Sequence, residues 1–189
     1  PKVVKYIDMP IQHINDDILK RMNRRSNKAQ IMEVIQKLRS RVPGIILRST
    51  VIVGFPGETA AQFEELRSFL KEIRFERLGV FSYSREEGTP AYDFPGQVSE
   101  KTKEKRNDIL MEQQERIHNE CNEAFLGQTL KVICEGYDQV SESFFGRSYA
   151  DAYDIDGKIF FSASKNVREG QFVNVLITEV MDYDLVGKV

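Results

Sequence analysis

Val51-Ile52-Val53-Gly54-Phe55-Pro56-Gly57-Glu58-Thr59 runs an apolar strand straight into a glycine-rich turn and a helix start. Turns of this kind, at the carboxyl ends of strands, are where α/β proteins hold small ligands. Pro56-Gly57 suits a tight turn, because proline presets φ and glycine tolerates positive φ. Thr59 with Gln62 matches a capping box, which places the helix start at Thr59. Taken alone, the same nine residues also read as the plain strand-to-helix connection that any α/β domain needs.

Outward from this stretch the first half repeats one unit. Tyr6 to Gln12 reads as a strand, with Ile7, Met9 and Ile11 on one face and Tyr6, Asp8, Pro10 and Gln12 on the other. A short helical stretch carries Ile18, Leu19 and Met22. A longer helix from about Lys28 to Val42 places Ile31, Val34, Ile35, Leu38 and Val42 at helical spacing, and Pro43-Gly44 ends it. Ile45 to Gly54 is the second strand, Thr59 to Arg74 the next helix and Leu78 to Ser84 a third strand. Strands alternating with helices imply parallel strands joined by crossover helices.

Face polarity suggests a cleft. Val51, Val53 and Phe55 make an apolar face suited to packing beneath helices, while Arg48 and Thr50 lie on the other face with Ile52 and Gly54. Asp8 and Gln12 of the first strand add to a polar interior. The alternative for Arg48 is a structural ion pair with Asp8. The third strand alternates weakly, so the directions of Tyr83 and Ser84 stay open.

Hydrophobic content of 41% and charged content of 30% belong to a globular chain, and no apolar run approaches the ~20 residues a membrane helix needs. No signal peptide is expected, and the abrupt entry into Val3-Val4-Lys5-Tyr6-Ile7 reads as the continuation of a longer protein. Cys121 and Cys134, the only cysteines, match neither a metal-ligand spacing nor a disulfide framework, and read as reduced, mostly buried thiols of a cytosolic protein.

Loops around Gly88-Thr89-Pro90 and Pro95-Gly96 lead to a long charged helix, Ser99 to Phe125, with a narrow stripe of Ile109, Leu110, Ile117, Cys121 and Phe125. The runs Lys20 to Arg25 and Lys101 to Arg106 read as solvated helix faces, because acidic residues alternate with the basic ones. From Gly127 the texture changes. Leu130–Tyr137, Phe144–Tyr149, Lys158–Ala163, Phe172–Val180 and Tyr183–Val189 read as five short strands of a small antiparallel barrel. Six basic residues stand against ten acidic ones over 127–189, a net of −4, which favours a basic partner over a phosphate backbone. Phe145, Tyr149, Phe160 and Phe161 read as core rather than as base-stacking residues.

Four segments carry a family resemblance: Asp8-Met9-Pro10-Ile11-Gln12-His13, Leu19-Lys20-Arg21-Met22, Arg48 through Thr59, and Tyr83-Ser84-Arg85-Glu86-Glu87-Gly88-Thr89-Pro90-Ala91. In order and spacing they resemble the radical S-adenosylmethionine methylthiotransferases, and the resemblance covers essentially the whole chain. The last region is similar to the TRAM domain that ends those enzymes. Gly146-Arg147-Ser148-Tyr149-Ala150-Asp151-Ala152 with Ile155-Asp156-Gly157 resembles the branch that methylthiolates the β-carbon of an aspartate in a basic ribosomal protein, S twelve of the small subunit. The related branch acts on isopentenyl-adenosine in tRNA and lacks the Asp154-Ile155-Asp156-Gly157 pattern. A non-catalytic binding module is the third reading.

The resemblance implies an α/β fold: the C-terminal part of a radical-SAM-type (β/α) barrel over residues 1–125, then an OB-like TRAM domain over 126–189. It implies two four-iron, four-sulfur clusters in the full-length enzyme, one cleaving S-adenosylmethionine to a 5′-deoxyadenosyl radical and the other delivering sulfur. Such clusters need thiolate sets that this sequence lacks, so the chain is expected to ligate no metal and to be inert alone. It further implies an S-adenosylmethionine wall of Gln12, Arg48, Thr50, Gly54, Tyr83 and Ser84, with Arg48 on the methionine carboxylate, and substrate contacts at Arg147 and Tyr149. No catalytic residue is assigned. His13 reads as structural, and Glu58 as a complement to a helix dipole. The implied partners are the basic ribosomal protein, met by the acidic TRAM domain, and ribosome-associated factors. RNA is less favoured, no membrane is implied, and the location is cytoplasmic.

Overall fold

The computed structural model describes residues 3–189. They form two compact units, one from Ile7 to Gln114 and the other from Glu115 to Val189 together with residues 3–6. The first unit is built on a three-stranded parallel sheet in the order β1-β2-β3, from β1 (Tyr6–Asp8), β2 (Ile46–Val53) and β3 (Arg77–Ser82). Three helices, α1 (Asp16–Arg21), α2 (Lys28–Arg41) and α3 (Ala60–Ile73), occupy the crossovers, and α4 (Glu100–Glu123) follows.

Local chemistry sets these boundaries. Thr59 caps α3 with Gln62 at the third helical position, and Asn27 caps α2 with Gln30 in the same reciprocal way. Each cap satisfies helix-start N–H groups that otherwise lack partners. β1 is shorter than the expected Tyr6–Gln12. Pro10 brings no N–H to a ladder, and Gln12 takes a left-handed φ of 69°, so the chain rejoins β2 only through a bridge to Val51. The core lies on the helix side of the sheet, where Val51 and Val53 are fully buried against Ile35, Phe63, Leu66 and Leu70. Each large side chain buried there contributes about 1.5–3 kcal/mol.

The second unit is a closed barrel in the order β4-β5-β6-β8-β7, from β4 (Thr129–Asp138), β5 (Ser143–Arg147), β6 (Ile159–Ser162), β7 (Phe172–Met181) and β8 (Asp184–Lys188). All five expected strands are present, but the barrel is mixed rather than antiparallel, because β6 and β8 run parallel. The reason is geometric: an odd number of strands closed into a ring must contain at least one parallel pair. Glycines permit the close approaches. A Cβ on Gly146 would lie 2.0 Å from the Ile133 carbonyl oxygen, and one on Gly157 would lie 1.9 Å from that of Tyr183. Of the four aromatics expected in the core, only Phe161 is fully buried, while Phe145, Tyr149 and Phe160 are half-buried on the barrel surface.

Candidate functional site

Along β2, Ser49, Val51 and Val53 are buried beneath the helices, while Arg48, Thr50 and Ile52 are half-buried on the opposite, open face. Thr50 is in register with Gly79 of β3. A Cβ on Gly79 would stand 3.2 Å from the Phe81 ring, 3.7 Å from Arg48 Nη2 and 3.8 Å from Thr50 Oγ1, so Arg48, Thr50 and Phe81 close around the glycine. Arg48 Nη1 donates to Asp8 Oδ2 at 2.7 Å, so the ion pair that the sequence offered as an alternative does form. Asp8 is well exposed, and a pair so placed contributes about 0–1 kcal/mol. A ligand carboxylate can therefore share or replace Asp8 at little cost.

Gln12 sits beside this patch. Its N–H donates to Thr50 O at 2.9 Å and its carbonyl accepts from Ile52 N at 2.8 Å, which fixes it against the strand. Its side-chain Oε1 is buried and accepts no hydrogen bond. Leaving a buried acceptor unsatisfied costs about 1–3 kcal/mol, and a left-handed non-glycine residue a similar amount. Two such costs at one residue make Gln12 a candidate ligand contact.

The remaining expected wall residues lie at the strand ends. Gly54 has φ of 74°, and its N–H is already taken by the Glu58 carboxylate. A side chain there would collide with Lys103, whose Cγ stands 2.3 Å from the position of a Cβ. Tyr83 is buried edge-on to Phe55, with ring centroids 5.2 Å apart, and its hydroxyl is buried without a partner. Ser84 is exposed and donates to Glu86 Oε1 at 2.6 Å. Arg48 and Gly54 are six residues apart on an extended segment, about 20 Å. Gln12 is bonded to Thr50, and Arg48 and Thr50 both approach Gly79, while Gly54, Tyr83 and Ser84 lie at the carboxyl ends; Gln12, opposite Val51, stands between the two groups.

A buried polar cluster beneath the carboxyl ends was read only weakly from sequence. Glu58, with no exposed side-chain surface, accepts from Arg106 Nη1 at 2.7 Å, from the Gly54 N–H and from His13 Nε2 at 3.2 Å. His13 is fully buried, and its Nδ1 accepts from the Asn15 N–H at 3.0 Å. An accepting Nδ1 fixes the neutral tautomer with the proton on Nε2, so the ring donates to Glu58. Lys103 is 2% exposed, with its Nζ bonded to Tyr83 O at 2.9 Å and to Glu100 Oε1 at 2.7 Å. The run Lys101 to Arg106 is therefore a solvated face only in part, at exposed Lys101, Glu104 and Lys105. Its Lys103 and Arg106 turn inward because carbonyl and carboxylate partners await them. Their spacing of three, in phase with buried Leu110, was the available signal.

On the barrel, a groove of about 690 Å³ is lined by Glu135, Phe145, Arg147, Tyr153, Asp154 and Glu169 among others. Arg147 Nε donates to Glu135 Oε1 at 2.6 Å, and its guanidinium lies 5.8 Å from the Tyr153 ring centre. Lys158 Nζ stands 4.8 Å over the Phe145 ring. Asp156 also lines the groove, and its Oδ2 accepts from the Ala152 N–H at 2.9 Å. Four carboxylates against two cations leave the groove acidic. Tyr149, the second expected substrate residue, is not among the groove-lining residues. Cys134 contributes to the groove floor, and burial pushes its thiol up from the ordinary value.

Comparison with known proteins matches the chain in two parts. The TRAM domain profile matches residues 126–189, and the radical SAM superfamily profile matches residues 2–70. Proteins named ribosomal protein uS12 methylthiotransferase RimO are 49% identical over 187 residues in Caldanaerobacter subterraneus subsp. tengcongensis and 50% identical over 190 residues in Geobacter sulfurreducens. A third, from Acetivibrio thermocellus, is 46% identical over 188 residues. Along 99–100% of its length the chain is similar to these RimO proteins. The matches cover 99–100% of this chain and 42% of each of these relatives.

The radical SAM similarity implies S-adenosylmethionine and iron–sulfur clusters, and the two fare differently against the residues present. A fixed guanidinium at Arg48 and an unsatisfied acceptor at Gln12 are the donor and acceptor that an amino-acid carboxylate and ammonium require, so S-adenosylmethionine fits. A cluster does not. Its ligands are thiolates, the sequence holds two cysteines, and among the described residues no three His, Cys, Asp or Glu side chains gather as a metal site. Also among the described residues, no helix is long and apolar enough to cross a membrane.

Proposed function

We propose that this chain supplies the S-adenosylmethionine wall and the substrate-docking barrel of a methylthiotransferase that modifies the β-carbon of an aspartate in ribosomal protein uS12. The observation that carries this reading is 45–50% identity, along essentially all of the chain, to proteins of that name. The division of labour follows residues 1–125 and 126–189. S-adenosylmethionine, when bound, supplies the methyl group and the hydrogen-abstracting chemistry. Clusters held by protein sequence outside this chain are needed for turnover.

Within the wall, Arg48 receives the methionine carboxylate in place of Asp8, Thr50 lies on the same face, and Gln12 Oε1 accepts from the ammonium. Tyr83, Ser84 and the main chain at Gly54 border it at the carboxyl ends. On the barrel, the acidic groove receives lysine or arginine side chains of the ribosomal protein, between its carboxylates and the faces of Tyr153 and Phe145. Arg147 is held by Glu135 and so shapes the groove, while Tyr149 borders the same strand end. The site of action is the cytoplasm, where ribosomal protein is made and assembled.

The test uses the full-length gene product, reconstituted with iron and sulfide. Under reducing conditions it should cleave S-adenosylmethionine, and Arg48→Ala should weaken S-adenosylmethionine binding about tenfold with the fold intact, the loss of one charge-assisted hydrogen bond. No cleavage by the reconstituted protein leaves a binding module as the surviving reading. Tight, steeply salt-dependent binding of an anticodon stem-loop, with none of the ribosomal protein, places the chain in the tRNA branch.

A further inference from the structure

We propose that Glu58 is the positioning residue of the S-adenosylmethionine wall: by clamping His13 and the Gly54 N–H at once, it holds Gln12 in the left-handed conformation that presents its unsatisfied Oε1. This rests on the assignment of Gln12 to the wall. Glu58 itself touches no ligand, because its side chain has no exposed surface.

The connections are continuous. Arg106 Nη1 donates to Glu58 Oε2 at 2.7 Å, and the Gly54 N–H donates to the same oxygen. His13 Nε2 donates to Oε1 at 3.2 Å, while His13 Nδ1 accepts from Asn15 N at 3.0 Å. The imidazole is thus bolted at both nitrogens, which fixes the peptide that joins it to Gln12. On its other side, Gln12 is pinned by both backbone groups to Thr50 and Ile52. A glutamine held between two such anchors keeps φ at 69°, a region it would otherwise leave. The bond from Gly54, just past β2, anchors the carboxylate, which through His13 then holds Gln12, beyond β1, in place. Arg106 pairs with the Glu58 carboxylate inside the same cluster.

A double-mutant cycle on the full-length gene product separates positioning from mere stability. S-adenosylmethionine affinity is measured by calorimetry for the wild type, Gln12→Ala, Glu58→Gln and the double variant, each well below its melting temperature. Alanine has no better access to the left-handed region than glutamine, so Gln12→Ala removes only the amide. Each single variant should bind about tenfold more weakly, the size of a coupling within one network, and the double variant no more weakly than Gln12→Ala alone. Multiplied losses, or an unchanged affinity in Glu58→Gln, would overturn the proposal while leaving the wall in place. An unchanged affinity in Gln12→Ala would overturn both the clamp and Gln12's place in the wall. A wild type that binds no S-adenosylmethionine would overturn the functional reading itself. If Glu58→Gln does not fold, His13→Gln replaces it: this variant keeps a donor towards Glu58 and the Glu58–Arg106 pair, but loses the Nδ1 acceptor. The same non-additive loss with Gln12→Ala is then expected, and multiplied losses contradict it.

Discussion

Glu58 keeps a charge in a fully buried position because Arg106 neutralises it and because His13 and Gly54 fill its other acceptor sites. Removing one partner of such a pair leaves an uncompensated buried charge. Arg106→Ala should therefore lower unfolding free energy by about 3–5 kcal/mol in a denaturant titration, and a loss below about 1 kcal/mol would contradict the burial argument. At this scale the sequence was legible only where partners were close in number. Thr59 and Gln62 are three apart, and their capping box was read correctly. Glu58 and Arg106 are forty-eight apart, and nothing in either neighbourhood showed that they would meet. The fate of Cys134 was clearer, since a lone buried thiol needs no partner. With its thiol pushed up by burial, Cys134 should resist iodoacetamide in the native state at pH 8 and react on unfolding. Rapid native labelling at Cys134, read by peptide mass, would contradict that.

Helix starts are where the elements of the first unit are tied together. Asn15 caps α1 and also donates through Nδ2 to Glu65 Oε2 at 2.8 Å, while Lys28 at the head of α2 reaches Glu65 Oε1 at 2.8 Å. These bonds, that from Asn15 first and then that from Lys28, hold the Glu65 carboxyl below its ordinary value of 4.5. A carboxylate lowered in the folded state contributes stability that is present above the unfolded value and lost as pH falls through the folded one. The stability gap between wild type and Glu65→Gln should thus be open at pH 7 and close below pH 4.5, as read by urea midpoints; a gap unchanged over that range would contradict the linkage. Thr59→Ala should cost about 1 kcal/mol through loss of the α3 cap. The strands and helices were legible because their apolar periods are strong. β1 was overread because alternation continued through Pro10 and Gln12, where backbone geometry, not side-chain pattern, ended the strand. α4 and its apolar stripe were legible, but the polar part of its buried face, including Lys103, Arg106, Gln114 and His118, was not, because a search for apolar stripes passes over it.

The molecule as a whole divides its chemistry between two units, a parallel sheet with an open polar face and a closed barrel with an acidic groove. Closure makes the barrel intolerant of added bulk at its crossing points. Gly157→Ala should destabilise it, because the new Cβ would overlap the Tyr183 carbonyl oxygen, and an unchanged melting temperature would contradict the packing described. The start of the barrel strands at Thr129 was legible as a change of texture near Gly127, whereas the boundary between the two units, at Gln114 within α4, was not. The groove was not legible, since Glu135, Arg147, Tyr153 and Glu169 come from separate segments and gather only when the strands close. The most direct measurement of the central claim is mass spectrometry of ribosomal protein uS12 after incubation with the reconstituted full-length gene product, S-adenosylmethionine and a reductant. A gain of one methylthio group confined to a single aspartate is the expected result. An unmodified ribosomal protein alongside a methylthiolated tRNA would contradict it.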